Sequence, residues 1–301
     1  MTDAFIRYLS AKRTVDDRAL NRVVLERFRS DLQKLRAPRI LEIGAGTGTM
    51  VDRLWNWNVI ASGEYTLLDQ DESLLEEAKR RLMRLAAEKG GRSTLNPDGS
   101  LSVSAANVDL TIRTYAAELG SFLRQHSDTR YDVLIACAVL DLVDVPEALP
   151  KLWSKLRAKG LFWFSINFDG ESIFLPEHPL DERVVGVYHA SMNDRIRDGK
   201  PSGDSKTGRH LFTHLKACGA HVLVSGSSDW VVHSVGGEYE GDEQAFLRHI
   251  VEFFRAELSQ HAEIDEKELE NWVAMRNRQI DEGDLVYIAH QLDFVGSAPS
   301  L

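Results

Sequence analysis

Cysteine is nearly absent from this 301-residue chain: only Cys137 and Cys218 occur, each in an apolar stretch. Two such residues exclude a disulfide framework and predict a reducing, cytoplasmic setting. No window approaches the roughly 18 uninterrupted apolar residues that a membrane-spanning helix needs. The opening MTDAFIRYLSAKRT lacks a long apolar core and does not read as a secretory leader. Positive charge is in deficit, with 36 Lys and Arg against 46 Asp and Glu and a formal net charge of −10. That balance argues against nucleic acid or an anionic membrane as a generic partner. There is no internal repeat and no low-complexity tract. What is present is ordinary for a globular protein: 43% hydrophobic and 27% charged residues, enough for a sizeable core.

From residue 39 onward helical and strand patterns alternate, which predicts a parallel sheet covered by helices. Residues 3–35 read as helix, ended by Pro38. Strands are expected at 39–43 (RILEI), 65–69 (YTLLD), 101–104, 131–139 (YDVLIACAV), 161–167 (LFWFSIN) and 285–294 (LVYIAHQLDF), with an extended segment from 222. Helices are expected at 73–88, at 111–125, from Pro146 to about 159, and at 207–218. Two more amphipathic helices follow; the second opens at an Asp265/Glu268 capping pair. The turn-rich stretch 89–100 and the polar stretch 168–205 read as loops.

The strongest signal is Glu42-Ile-Gly44-Ala-Gly46-Thr-Gly48, directly after a buried strand and before a helix. Glycines there let the backbone turn sharply and approach a ligand without a Cβ in the way. Asp69 ends the next strand, where a carboxylate can accept both hydroxyls of a ribose. The nucleotide could be a dinucleotide or S-adenosylmethionine. The dinucleotide fingerprint G-x-G-x-x-G fails, because Thr49 stands three residues after Gly46.

The spacing Glu-x-Gly-x-Gly-x-Gly resembles the first motif of the class I S-adenosylmethionine-dependent methyltransferases. YTLLDQDESLLEEAKRR resembles that family's second strand and helix, and residues 131–167 resemble its fourth strand, helix and fifth strand, with LRAKG in place of the usual glycine pair. The resemblance implies an α/β fold: a seven-stranded, mostly parallel, doubly wound, Rossmann-like sheet. It implies one domain over 1–301, with an N-terminal helical cap at 1–37, a cofactor-binding half at 38–170 and a substrate-side half at 171–301. A helical insertion at 240–282 precedes the last strand. The implied cofactor is S-adenosyl-L-methionine. Gly44, Ala45 and Gly46 would lie under its methionine part, with Gly48 completing the cofactor loop; Glu42 would face the ammonium, Asp69 the ribose and Gln70 the adenine. Asn107, Val108 and Asp109 would meet the adenine at the end of the third strand, either Asn107 or Asp109 accepting its amino group. Ala136 and Cys137 would floor the sulfonium site, Cys137 as packing and not as a nucleophile.

Methyl transfer to a small molecule is the implied activity, by in-line displacement at an already activated sulfonium. A protein or RNA acceptor, or a non-catalytic cofactor-binding role, is the alternative. No [DN]-P-P-[YF] follows the fourth strand, which disfavours methylation of base amino groups. Asp141, Asn167 and His189 are candidate catalytic groups, and His210, His233 and His290 are further imidazoles. The wording around Asp141, Asn167 and Asp169 does not match the metal-dependent catechol-type branch, so no metal is expected. Substrate contacts are expected from Tyr8, Lys12, Arg13, Asp169, Trp230, Trp272 and Arg276. The N-terminal helix and the insertion are expected to cap the C-terminal ends of the strands; extension of the core, or a homodimer contact, is the alternative.

Overall fold

The computed structural model of the chain describes residues 2–197 and 199–300. Two helices, α1 (Thr2–Ala19) and α2 (Arg22–Leu32), precede the first strand, β1 (Arg39–Ile43). The single helix expected over 3–35 is broken at Asn21, whose side chain accepts from the N–H groups of Val23 and Val24 and starts α2 anew. There follow α3 (Thr49–Asn56), β2 (Ser62–Asp69), α4 (Glu72–Glu88), β3 (Arg92–Leu95), β4 (Leu101–Ala105), β5 (Val108–Ala116), α5 (Leu119–Gln125) and β6 (Tyr131–Cys137). The second half holds α6 (Val145–Trp153), β7 (Leu156–Leu175), α7 (Asp181–Asn193), the short pair β8 (Ile196–Arg197) and β9 (Lys200–Pro201), and α8 (Thr207–Ala217). The chain closes with β10 (His221–Ser227), β11 (Trp230–Val232), α9 (Glu243–Leu258), α10 (Glu266–Glu282) and β12 (Val286–Ser297). Among the described residues no helix is long and apolar enough to cross a membrane.

The main sheet runs β10-β12-β7-β6-β1-β2-β5-β4-β3, with β11 also paired to β12. From β5 through β2, β1 and β6 to β7 all neighbours are parallel; β12 is antiparallel to both β7 and β10. Among the described residues the sheet therefore has ten strands where seven were expected. The additions are the antiparallel edge β3–β4 and the short β11. The expected loop at 89–100 contains β3, and the expected helix at 111–125 is divided between β5 and α5. Val108, Leu110 and Ile112 are buried while Asp109 between them is exposed, so a period of two governs this stretch. α6 stops at Trp153, short of the expected residue 159, because Leu156 already pairs with Tyr131 in the sheet.

Each face of the sheet carries its own apolar cluster. α2, α3 and α4 cover one, with Phe28 against Trp163 at 4.6 Å between ring centroids. α6 and α8 cover the other, around Leu149, Phe162, Phe164 and Leu211. A third cluster lies beyond the end of the sheet proper. β6 ends at Cys137, opposite Ser165, but β7 and β12 continue as a ribbon that joins Leu175 to Val286. Phe174 and Tyr287 on this ribbon pack against α1, α7, α9 and α10 through Tyr8, Val184, Phe246, Phe254 and Trp272. The stretch 168–205, expected to be irregular, thus holds the ribbon's outer half and α7.

Where ribbon and sheet meet, Ile166 takes φ +56°, a left-handed conformation costly for a β-branched residue. Asp293, opposite, is skipped in the pairing register. Its carboxylate accepts the N–H of Ile166 at 2.7 Å and that of Asn21, between α1 and α2, at 2.9 Å. One buried side chain thus stabilises the bulge and fixes the root of α1. Asp293→Ala should lower stability in denaturant unfolding by about 2–4 kcal/mol, because two inward N–H groups lose a charged acceptor. Asp293→Asn, which keeps one acceptor, should lose less; equal losses would show that the carboxylate does not serve both donors.

Candidate functional site

Strand order reverses at β1, with β2 on one side and β6 on the other. The loops leaving β1 and β6 meet there, at the strands' C-terminal ends, where such sheets usually hold a ligand in a crevice. Three glycines line the β1 loop, all left-handed: Gly44 at φ +62°, Gly46 at +51° and Gly48 at +69°. A Cβ on Gly44 would stand 2.5 Å from Val139 Cγ2 in the loop after β6, so only glycine lets the two loops close. The N–H of Gly46 donates to Asp69 Oδ2 at 2.8 Å, and that of Asp71 to Asp69 Oδ1 at 3.0 Å. Asp69 thereby ties the glycine loop to the end of β2.

Glu42, on β1 beneath the loop, is buried and accepts from Tyr65 Oη at 2.8 Å. Burial pushes its carboxyl up to about 8; the Tyr65 hydrogen bond and the Arg53 charge pull it down, and Asp69 pushes it further up. The floor beside it is Ala136 and Cys137, at the end of β6. Burial pushes the Cys137 thiol up to about 11, which favours the protonated form at neutral pH.

α1 lies over this crevice. A Cβ on Gly46 would meet Leu9 Cδ1 at 3.4 Å, an ordinary contact that places the helix directly above the glycine loop. α1 is held by charge. Arg13 makes two 2.9 Å hydrogen bonds to Asp52 on α3, and Arg53 on α3 bonds Asp17 and, at 3.2 Å, Asp16. Asp16 also accepts from Lys12 at 2.6 Å and from Trp230 Nε1 at 3.0 Å. Lys12 lies 4.9 Å from the Trp230 ring centroid, a cation–π distance. Tyr8 stacks on Phe246 and meets Phe253 edge-on. Of the expected substrate contacts, Tyr8, Lys12, Arg13 and Trp230 have their polar and aromatic groups engaged in joining α1 to α3, β11 and α9. Asp16, Asp17, Asp52, Arg53 and Tyr65 went unread in the sequence, where each is one charged or aromatic residue on an amphipathic element.

Other expected positions lie elsewhere. Asn107, Val108 and Asp109 stand at the start of β5, where Asp109 pairs with Ser62; the end of β5 that lies beside Asp69 is Ala116. β5 runs parallel to β2, so the three residues sit at the opposite end of the sheet from the glycine loop. Asp109 instead lines a groove of about 690 Å³ with Arg36, Arg39, Glu64, Asp132 and Arg157. Trp272 and Arg276 are buried on α10, where Trp272 Nε1 donates to Asp181 at 2.7 Å and Arg276 to Pro176 O at 2.8 Å. They dock α10 on the first residue of α7 and on the segment before it. Asn167 donates to Leu292 O at 2.7 Å, across to β12. Asp169 accepts from the Arg209 N–H at 2.6 Å and Arg209 Nε at 2.9 Å, and so anchors the start of α8.

Two of the candidate catalytic groups remain distinctive. Asp141, in the turn after β6, has a buried Oδ1 with no hydrogen-bond partner, and burial raises its carboxyl despite Arg195 and Lys12 nearby. His189 on α7 lies 3.2 Å from Ser172 Oγ and edge-on to Phe168. Burial, with the Lys206 charge, lowers its imidazole to about 4. It is neutral at physiological pH and a weak proton acceptor. Of the other histidines, His290 bonds Asp229 at 2.8 Å and His233 its neighbour Ser234 O at 2.9 Å.

No family model matches the chain, and no curated protein matches it. Solved structures do. An S-adenosylmethionine-dependent methyltransferase from Thiobacillus denitrificans, in complex with S-adenosyl-L-homocysteine, aligns over 99% of both chains at 15% identity with a TM-score of 0.51. A cyclopropane synthase from Mycobacterium tuberculosis aligns over 91% of this chain and 83% of its own at 13% identity, TM-score 0.45. The chain has the class I methyltransferase fold.

Glu42 supplies a test within the chain alone. Its folded carboxyl, near 8, lies above the ordinary value near 4.5. Below about pH 4.5 it is protonated folded or unfolded and has no effect. As pH rises toward 8 the unfolded chain ionises first, and stability is lost until the folded carboxyl ionises too. Glu42→Gln should remove that loss, gaining roughly 3–5 kcal/mol relative to the native chain between pH 5 and pH 9. Parallel pH–stability curves would contradict the burial of an uncompensated acid there.

Proposed function

We propose that the chain is an S-adenosylmethionine-dependent methyltransferase acting on a small molecule inside an enclosed site. The observation that carries this reading is the closure of α1 over the glycine loop. A buried acid beneath that loop suits a cationic ligand group, and a carboxylate at the end of β2 suits vicinal hydroxyls. The residues present fit the cofactor. Gly44, Gly46 and Gly48 offer backbone without side chain and Ala45 only a methyl, Glu42 an acid with a strong drive to meet a cation, and Asp69 two carboxylate oxygens. The cofactor supplies a methyl group already activated on a sulfonium. The chain's part is then binding, alignment and exclusion of water.

In this reading Glu42 faces the ammonium, Asp69 holds the ribose, and Gln70 with Ala116, Ala117 and Glu118 flanks the adenine. The last three take the place expected for residues 107–109, because they follow the end of β5 beside Asp69. Ala136 and Cys137 floor the site. Asp141 is the acid placed to orient the acceptor or take a proton from it, since its buried Oδ1 lacks a partner. α1 covers the glycine loop, with Leu9 over Gly46. Enclosure of this kind favours a small acceptor over a protein or RNA. Cys137 and Cys218 are both free thiols, in keeping with a reducing, cytoplasmic setting.

Calorimetry tests the reading. S-adenosylhomocysteine should bind with a Kd on the order of micromolar, about −8 kcal/mol, without competition from NADH. Asp69→Ala should weaken it by a few kcal/mol through the loss of two charge-assisted hydrogen bonds. An ammonium beside Glu42 should also lower that carboxyl's pKa, so binding at pH 7 should release up to one proton, detected as a dependence of the apparent heat on buffer ionisation. Glu42→Gln should abolish the release. Tight NADH binding with no response to S-adenosylhomocysteine would overturn the assignment.

A further inference from the structure

A second group of ligating side chains lies outside the crevice, at the start of α8. His210 and His214 are four residues apart on that helix and so share one face. Asp204, just before the helix, completes the group: one donor atom from each of the three residues lies within 4.8 Å of the others. His210 Nδ1 is 2.7 Å from Asp204 Oδ2, and the two imidazoles are 6.2 Å apart between centroids at 69°. The other oxygen, Asp204 Oδ1, accepts the Lys206 N–H at 2.8 Å, which fixes the carboxylate's orientation. Asp204 is further held through its backbone: its carbonyl accepts from Thr207 Oγ1 at 2.8 Å.

We propose that Asp204, His210 and His214 form a binding site for one divalent transition-metal ion of the zinc class. Two imidazoles and one carboxylate are donors such ions prefer, whereas Mg²⁺ and Ca²⁺ want all-oxygen shells. Zinc stands about 2.0–2.2 Å from such donors, so three atoms already this close reach a common centre by small side-chain rotations. Water fills the remaining position. The ion replaces the direct His210–Asp204 hydrogen bond with two metal bonds and adds His214.

The position gives the ion a structural effect. The N–H of Asp204 approaches Asp141 O at 3.4 Å, and the next residue, Ser205, donates its N–H to Asn193 Oδ1 at the end of α7 at 2.8 Å. An ion joining Asp204 to α8 therefore ties the chain between α7 and α8 to a rigid helix, beside the turn that carries Asp141. The inference does not depend on the proposed methyl transfer.

Titration of zinc into the chelator-treated full chain, followed by calorimetry, tests it. One ion per chain should bind with a Kd on the order of micromolar. Mg²⁺ and Ca²⁺ should give no heat. His210→Ala and His214→Ala should each weaken zinc at least tenfold while melting normally without metal, and the double variant should lose the site. Zinc should also slow amide hydrogen exchange over residues 202–206 in the native chain but not in the double variant. No binding below millimolar zinc would overturn the proposal, as would unchanged affinity in the double variant, which would place zinc on other groups.

Discussion

The hydrogen bond from the Gly46 N–H to the Asp69 carboxylate sets the geometry on which the crevice depends. It joins the loop after β1 to the end of β2, and Gly44, Gly46 and Gly48 let that loop take the left-handed turns this closure requires. Val139 closes against Gly44 from the β6 side. The loop is therefore clamped by the strands that flank β1, and the backbone of Ala45 and Gly46 is presented in one conformation. A ligand meets a preformed surface and not a mobile turn.

α1 depends on a different balance. Its own apolar contribution is small, chiefly Tyr8, Ala11 and Val15. Its position is specified by Lys12, Arg13, Asp16 and Asp17 against Asp52 and Arg53. Desolvating charges is costly, and such pairs offset the cost only when geometry is good. That makes the network a device for placement more than for stability. Asp16, shared by Lys12, Arg53 and Trp230, is where it concentrates. Asp293 adds a hold on the same side, through the N–H of Asn21 just past the C-terminal end of α1.

The parallel core was legible because each strand is a short buried run followed by a helix. RILEI, YTLLD and YDVLIAC all form strands where the pattern puts them, and the insertion before the last strand forms two helices. The third strand was misread for a physical reason. β4 and β5 are joined by a two-residue turn, Ala106-Asn107, with Ala106 at φ +47° and no glycine to announce it. ANVDL reads as the end of a strand but contains a reversal, so Asn107, Val108 and Asp109 lie at the opposite end of the sheet from the one the pattern suggests. The glycine loop, Glu42 and Asp69 were legible because their spacing is local. The partners of α1 were not: Arg13 meets Asp52, 39 positions away, and Asp16 meets Trp230, 214 positions away. Such pairs exist only once the sheet has set the distance between helices. Trp272 and Arg276 show the reverse error, since an aromatic and a cation in an insertion looked like ligand contacts and proved to be the packing of α10.

The central claim is that the glycine loop beneath α1 is the ligand site, and amide hydrogen exchange with and without S-adenosylhomocysteine tests it most directly. The account predicts slower exchange over residues 44–49 and along α1, with no change around residues 36–39, 62–64 and 109, which line the groove at the other end of the sheet. Protection confined to that groove, or none over residues 44–49 at saturating ligand, would contradict it.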